Sequence, residues 1–264
     1  IKYQNGKKKL NYVIPDSKEG WAEALSYGMS TRASGEDVEF DYSKIRPAGA
    51  RVSFGGKASG PEPLRDLMNF TRNKMLSKQG KRLTNIDAHD LLCMIGTIVV
   101  SGGVRRSAMI SLSDLDDDDV RDAKKGQFYL TNHQRAVANN SAVYLSKPTN
   151  DEFLTEWVAL MKSGSGERGI FNRGGLIKTL PKRRIELFQR KGIIEDGRIT
   201  GIIGTNPCGE IILQSKQFCN LSEVVCRVDD TEKTLLRKIR LATILGTYQA
   251  TLTNFKYLSK EWKK

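Results

Sequence analysis

Ile86-Asp87-Ala88-His89-Asp90-Leu91-Leu92-Cys93-Met94-Ile95-Gly96-Thr97-Ile98-Val99-Val100-Ser101-Gly102-Gly103-Val104 is the stretch on which the fold class turns. Ile86, Leu91, Ile95, Ile98 and Val99 recur at helical spacing, which predicts a helix over 86–100 with that apolar face buried. Gly102-Gly103 reads as its stop, because glycine takes the left-handed backbone that closes a helix. Val104 to Leu112, β-branched and apolar in part, then reads as a strand. The same order returns downstream. A helix over 151–162 (Phe153, Leu154, Trp157, Val158, Met161) runs through Gly164, Gly166 and Gly169 into the short strand Ile170-Phe171. Upstream, Leu64, Leu67, Met68, Thr71 and Met75 predict a helix from about Glu62. Asp16 or Ser17 can cap another near Lys18, with Trp21, Ala24 and Leu25 on one face. Leu10, Tyr12 and Ile14 alternate as in a strand, and 34–62, rich in Gly and Pro, reads as strand and loop. Asp116–Asp119 reads as a solvated acidic loop or the first turn of a helix, where carboxylates suit the dipole, Asp196-Gly197 as a hairpin tip, and Ile211-Ile212-Leu213 as a short buried strand. Residues 231–255 form a long helix carrying Leu235, Ile239, Ala242, Leu245 and Leu252. Helix, glycine turn and short buried strand in repetition give an α/β architecture.

Composition narrows the class. The 264 residues are 39% hydrophobic, with 43 Lys+Arg against 30 Asp+Glu and a formal net charge of +13. That is globular composition. No apolar run approaches about 18 residues, so no membrane span is expected. The N-terminus Ile1-Lys2-Tyr3-Gln4 lacks the apolar core of a signal peptide, so a reducing, cytoplasmic setting is expected. It also lacks an initiator Met, and the chain reads as an internal piece of a longer protein. Cys93, Cys208, Cys219 and Cys226 contain no C-x-x-C pair, so neither zinc nor a disulfide framework is expected, and no metal ligand set is assigned. Lys7-Lys8-Lys9, Lys81-Arg82 and Lys182-Arg183-Arg184 are separate clusters, which favours solvated faces over one nucleic-acid surface.

The chemistry concentrates in Gly204-Thr205-Asn206-Pro207-Cys208-Gly209-Glu210-Ile211, followed by Phe218-Cys219-Asn220-Leu221. Pro207 and Gly209 fence Cys208 into a tight loop that helix interior does not tolerate. In an extended segment Asn206, Cys208 and Glu210 project to one side. A thiol, a carboxylate and an amide would then share one small volume. The competing reading of the same residues is a strand end with a buried structural Cys and an exposed Glu. Cys93 sits mid-helix and reads as a buried small hydrophobe. Cys226, after Val224-Val225 on an expected strand, reads the same way. His89 and His133 are lone histidines and read as structural.

Asn206-Pro207-Cys208-Gly209-Glu210, with Cys219-Asn220-Leu221 eleven residues after Cys208, resembles the active-site loop of ribonucleotide reductases, and the spacing resembles that of the adenosylcobalamin-dependent, class II enzymes. Further segments match the family in order: Asp16-Ser17-Lys18-Glu19-Gly20-Trp21; Asp41-Tyr42-Ser43-Lys44-Ile45-Arg46-Pro47-Ala48-Gly49; Phe54-Gly55-Gly56-Lys57-Ala58-Ser59-Gly60-Pro61; Gly103-Val104-Arg105-Arg106-Ser107-Ala108; Asn132-His133-Gln134-Arg135-Ala136-Val137-Ala138-Asn139-Asn140-Ser141; and Gly169-Ile170-Phe171-Asn172-Arg173. The resemblance implies an incomplete ten-stranded α/β barrel over 1–264, with the active-site Cys on a central loop and 181–203 as a hairpin insertion. It implies reduction of ribonucleotides to deoxyribonucleotides with adenosylcobalamin as cofactor. Cys208 would be the thiyl that takes the 3′-hydrogen, Glu210 the base for the 3′-OH, Asn206 the group orienting the sugar hydroxyls, and Cys219 one of two cysteines that supply electrons. Asn206, Pro207, Cys208, Gly209, Glu210 and Gly103 would contact substrate.

Gly102, Gly103, Arg105, Arg106 and Ser107 resemble the family's specificity loop, which answers to a deoxynucleotide effector. Without the resemblance, these residues read as a helix cap followed by solvated arginines. The implied partners are a ribonucleotide, a dNTP effector and a thioredoxin-like reductant; direct nucleic-acid binding and membrane binding are not expected. Phe54-Gly55-Gly56-Lys57-Ala58-Ser59-Gly60 could meet phosphate through backbone N–H groups. By the resemblance, the second redox cysteine lies upstream of Ile1, so the chain by itself is expected not to turn over. The alternatives are a class I reductase large subunit, against which the Cys208–Cys219 interval speaks, and a basic nucleic-acid-binding module.

Overall fold

A computed structural model describes residues 1–264 apart from 7, 8, 53–55, 102, 103, 106, 256, 257 and 264. Strand β1 (Leu10–Val13) pairs in parallel with β2 (Val38–Asp41), and helix α1 (Lys18–Ala33) makes the crossover. Ser17 starts α1: its backbone is extended and its hydroxyl accepts from the Gly20 N–H at 3.0 Å. Helices α2 (Glu62–Ser77) and α3 (Asn85–Ile98) complete the layer. Ile14, Ala24, Ile45, Leu64, Leu67, Met68 and Met94 form one core, with Trp21, Leu25, Phe40 and Ile98 packed against it. Leu64, Leu67, Met68, Thr71 and Met75 of α2 are all buried, as their spacing requires.

Helix α3 differs from expectation. Its buried residues are Asp87, His89, Asp90, Leu91, Cys93 and Met94; Ile86, Ile95 and Ile98 are half-buried and Val99 is exposed. The helix is covered on two sides, by α2 and by the short 3-10 turn His133–Val137, so ionic groups fall inside. Asp90 accepts from Arg135 Nε at 2.6 Å, from Gln134 and from Lys74. Burial alone would raise its pKa, but the Arg135 and Lys74 bonds hold it below the usual carboxylate value. Helix α3 stops at Ile98, before the two glycines. The chain folds back instead as the antiparallel pair β3 (Val100–Ser101) and β4 (Val104–Arg105); Gly102 and Gly103 lie outside the described residues.

The centre of the chain is a parallel sheet in the order β5 (Met109–Ser113), β6 (Ala138–Tyr144), β7 (Gly169–Asn172). Short helices α4 (Asp118–Arg121, capped by Asp117) and α5 (Phe128–Thr131) join β5 to β6, and α6 (Asn150–Ser163) joins β6 to β7. Side chains alternate between the two faces. Ala138 packs with Cys93 and Val137 on the α3 side, and Asn140 bonds His89 there. Ala142 and Tyr144 point the same way and meet Glu156, Trp157 and Leu160 of α6. Arg168, ahead of β7, is 5% exposed and donates to Glu156 at 2.7 Å and to Ser113. Both helices therefore lie on one face.

The elements that follow β7 form a second core, which meets the other face of the sheet at Phe171. Helices α7 (Leu176–Thr179) and α8 (Lys182–Arg190), the hairpin of β8 (Ile194–Glu195) and β9 (Arg198–Ile199), and the hairpin of β10 (Ile203–Thr205) and β11 (Ile212–Gln214) share a core of Leu176, Phe188, Ile194 and Ile203. Phe171 of β7 packs against it. The basic stretch 181–203 is thus helix first and hairpin second, with Asp196-Gly197 at the tip in left-handed backbone as read from sequence. Helix α9 (Glu232–Ala250) follows a segment without regular structure. Two apolar faces expected to be buried are exposed in this chain. Phe153, Leu154, Trp157, Val158 and Met161 of α6 stand out to solvent, as do Ile239 and Leu245 of α9. On α6 the buried residue is Glu156, held by the ion pair to Arg168. Among the described residues no helix is long and apolar enough to cross a membrane.

Candidate active site

The Asn206–Glu210 stretch is the tip of the β10–β11 hairpin. Gly209 N–H donates to the Asn206 carbonyl at 3.0 Å, which closes a four-residue turn with Pro207 in its second position. Gly209 has φ 91°, where a side chain would be strained. Asn206 is 5% exposed. Its backbone N–H donates to Ile211 O at 3.1 Å, and its Oδ1 accepts from Ile211 N–H at 3.0 Å and from the Thr205 hydroxyl at 3.3 Å.

This corrects the extended geometry expected for Asn206, Cys208 and Glu210. A turn separates them, and the Asn206 side-chain Oδ1 is taken up by the Ile211 N–H and the Thr205 hydroxyl, which leaves the Nδ2 amide group as its remaining side-chain donor. Pro207 is half-buried; Cys208, Gly209 and Glu210 are exposed, and Cys208 carries a free thiol. The hairpin brings all five residues into one tip.

Cys219, also a free thiol, is half-buried five residues past the end of β11. Its neighbour Phe218 packs on Phe255 and Trp262, with ring centroids at 4.6 and 5.1 Å. That aromatic cluster ties the segment carrying Cys219 to the end of the chain.

The tip has a definite place on the sheet. Gly204 faces Leu112, so that an added Cβ would sit 3.5 Å from Leu112 Cδ1. Asn139 Nδ2 donates to the Pro207 carbonyl at 2.7 Å. Leu112 is on β5 and Asn139 on β6, and both point away from α3. The Cys208 hairpin thus crosses the sheet on the face opposite helices α3 and α6. Arg184 Nη2, donating to Ile212 O at 2.8 Å, and Lys191, donating to Gln214, hold β11 to α8. Asn139 lies within the motif over 132–141, and no local feature of that motif marks it as a partner of the Pro207 carbonyl.

Of the residues expected at an effector loop, Gly102, Gly103 and Arg106 lie outside the described residues. Arg105 is in β4, paired with Val100. Ser107 donates its hydroxyl to Gly96 O at 2.6 Å and so anchors the end of that hairpin on α3. Phe54 and Gly55 of the glycine-rich stretch also lie outside the described residues. His89 and Cys93 sit where a structural role puts them. Burial lowers the His89 pKa against the bond to Asn140 at 3.0 Å, and burial pushes the Cys93 thiol up to about 12. Cys226 does not follow expectation: it is exposed, because 218–227 forms no strand and Val225 beside it is exposed too. Among the described residues no three His, Cys, Asp or Glu side chains are grouped to hold a metal ion.

Comparison with known proteins bears on this arrangement. A family description of the insertion domain of B12-dependent ribonucleotide reductase matches residues 1–76. The adenosylcobalamin-dependent ribonucleoside-triphosphate reductase of Lactobacillus acidophilus is 38% identical over 226 residues, covering 81% of this chain and 28% of that protein. The enzyme of the same name from Lacticaseibacillus paracasei is 36% identical over 231 residues, covering 83% of this chain and 28% of that protein. This chain is related to the class II ribonucleotide reductases. A crystal structure of a B12-dependent, class II ribonucleotide reductase superposes with a TM-score of 0.62 and 31% identity, covering 82% of this chain and 29% of that one. The chain thus spans 28% of the length of the two reductases compared in sequence. The shared architecture with the reductase structure is mixed α/β with a parallel sheet.

Proposed function

We propose that this chain carries the thiyl loop of a class II ribonucleotide reductase and that the complete protein reduces ribonucleoside triphosphates to 2′-deoxyribonucleotides. One observation carries the reading: the Asn206–Glu210 tip crosses the face of the parallel sheet that is free of helices α3 and α6. In an α/β barrel that face is the interior. Strands β5, β6 and β7 are then three neighbouring strands of a ten-stranded barrel. The insertion-domain match occupies residues 1–76, and 181–203 is a helix and hairpin inserted beside the loop.

The chain's own groups take these parts. The Cys208 sulfur, as a thiyl, gains hydrogen as the 3′ C–H bond breaks. A thiol suits this step because its S–H bond is weak enough for reversible exchange. Glu210 takes the 3′-OH proton, and Asn206 Nδ2 donates to a sugar hydroxyl. The 2′-hydroxyl leaves as water. Cys219 and a second cysteine become a disulfide, supplying two electrons and two hydrogens: one hydrogen leaves in the water, the other takes the place of the hydroxyl on C2′, and Cys208 returns its hydrogen to C3′, which regenerates the thiyl. A thioredoxin-like dithiol then restores both thiols, in the cytoplasm.

Adenosylcobalamin is the cofactor of the complete enzyme in this reading, on the strength of the relatives' names. The two most voluminous cavities described, about 450 Å³ at Tyr144–Pro148 and about 540 Å³ beside Arg121 and Leu154, do not border the Cys208 loop. The sequence segment 102–107, of which Arg105 lies in β4 and Ser107 bonds Gly96 O, is the dNTP-responsive loop in this reading.

The test is conversion of a ribonucleoside triphosphate by the full-length protein with adenosylcobalamin and a dithiol. Deoxynucleotide should form, and Cys208→Ser should abolish it. Undiminished reduction by Cys208→Ser would overturn the reading.

A further inference from the structure

We infer that Asn139 is a positioning residue for the Cys208 loop, setting the orientation of the Pro207–Cys208 peptide through its side-chain amide; this rests on the reading of Cys208 above. The bond is Asn139 Nδ2 to Pro207 O, 2.7 Å, between residues 68 apart in sequence. The Pro207 carbonyl belongs to the peptide unit that joins Pro207 to Cys208. A donor fixed on that oxygen fixes the plane from which the Cys208 side chain departs. Pro207 has a locked φ and no N–H, so its carbonyl is the backbone handle the loop offers at this point.

The donor is mounted on an unusually well-tied strand end. Neighbouring Asn140 points the other way, where its N–H donates to Glu167 at 2.8 Å and its Oδ1 bonds His89 at 3.0 Å. Lys124 bonds both the Ala138 carbonyl and Glu167. Asn139 is flanked on both sides by residues pinned to the helix layer, and β6 is hydrogen-bonded to strands on both edges. Its side chain therefore starts from a fixed backbone and reaches the hairpin across the sheet. Asn139 itself is exposed, has no buried packing to satisfy, and makes its described side-chain bond to the loop. An error of about 1 Å in a reacting group costs up to about a hundredfold in rate, so one such strut matters more to turnover than to folding.

Asn139→Asp tests this in the full-length reductase. The change keeps the shape and replaces the donor by an acceptor facing a carbonyl. Expected are a fall in kcat of about 10- to 100-fold with KM within about twofold, and a recovery of kcat as pH falls and the new carboxyl regains a proton to donate. Alkylation of Cys208 by iodoacetamide, read by peptide mass spectrometry, should quicken by about threefold or more as the loop loosens, while Cys219 keeps its rate. Asn139→Gln, which retains a donor on a longer arm, should restore part of both. Unchanged kcat and unchanged Cys208 alkylation in Asn139→Asp would overturn the assignment. So would a fall in kcat without any change in alkylation or pH profile, because Asn139 would then act elsewhere. Cys208→Ser is run alongside. If that variant still reduces nucleotides, the reading of Cys208 fails, while the alkylation arm still decides whether Asn139 holds the loop.

Discussion

Helices α2 and α9 show the same apolar repeat in sequence, yet α2 buries Leu64, Leu67, Met68, Thr71 and Met75 whereas α9 buries none of its residues. Both start at a recognisable signal: Pro63 in the first turn of α2, and the Thr231 capping box ahead of α9. The difference lies in what surrounds them. Helix α2 packs between α1 and α3, on a core that also takes Ile14 and Ile45 from the flanking loops. Among the described residues, helix α9 is tied to the irregular segment before it. Its ties are Lys238 to Asp230 at 2.5 Å and to the Val225 carbonyl, and the approach of Gly246 to Ser222. Periodicity thus specifies a helix and the side it would bury, and says nothing about whether a partner is present. Most helical stability in proteins comes from that partner.

The contrast can be broken at its strongest point first. In the 264-residue chain, Leu67→Ala should cost about 2–5 kcal/mol in urea unfolding, since Leu67 is 1% exposed and its removal leaves a cavity. A loss under about 1 kcal/mol would mean that this core is loosely packed. Asp90→Asn should cost about 3 kcal/mol, because it strands Arg135 and Lys74 beside a neutral group. Hydrogen exchange should place the opening at α3 and the 3-10 turn, with α9 unaffected.

Acid should act on the α2–α3 side in two stages. His89 has a lowered pKa in the folded chain, so the unfolded chain takes up the proton near pH 6.5 and stability falls as pH drops below that value. The sign is opposite to that of a histidine with a carboxylate partner. Asp87 and Asp90 have depressed values: burial works against them, and the bonds from Lys78, Thr84, Arg135 and Lys74 prevail. Their contribution is whole above the unfolded carboxylate pKa of about 4 and is lost as pH falls through their lower folded values. The urea midpoint should therefore decline between about pH 7 and 5, and His89→Gln, which keeps a partner for Asn140, should remove that first decline. A first stage that survives in His89→Gln would assign it to another group.

Smaller effects sharpen the comparison. Capping acts within one turn, so Ser17→Ala ahead of α1 and Thr231→Ala ahead of α9 should each cost their helix about 1 kcal/mol whatever its burial. Ile244→Ala on α9 should change the unfolding of this chain by less than about 0.5 kcal/mol, since Ile244 is 42% exposed. A loss there matching that of Leu67→Ala would erase the distinction between the two helices.

Sequence made most of this legible where one local signal sufficed. The Ser17 cap of α1, the apolar repeat of α2, the Asp196-Gly197 hairpin tip and the strands at Leu10 and Ile170 are all of that kind. It was misleading where neighbours decide. The buried face of α3 is partly ionic because α2 and the 3-10 turn bring Lys74 and Arg135 to it. Cys226 is exposed because no strand forms to bury it. At the site, Pro207 and Gly209 announced a tight loop correctly. The alternation rule failed for Asn206, Cys208 and Glu210, because a turn has no period of two. Asn139 was illegible as a partner of Pro207, since nothing local links residues on β6 and on the hairpin tip.

The central claim is that Cys208 and Cys219 do different things in one reaction, and free base released per nucleotide consumed tests it most directly. In the full-length enzyme Cys208→Ser has no weak S–H bond, so 3′-hydrogen abstraction should stop and neither deoxynucleotide nor free base should appear. Cys219→Ser retains Cys208 and Glu210, so abstraction and loss of water should still begin. The intermediate then lacks its reductant and decomposes with release of base. Base release by Cys208→Ser equal to that by Cys219→Ser would contradict the assignment of the two cysteines.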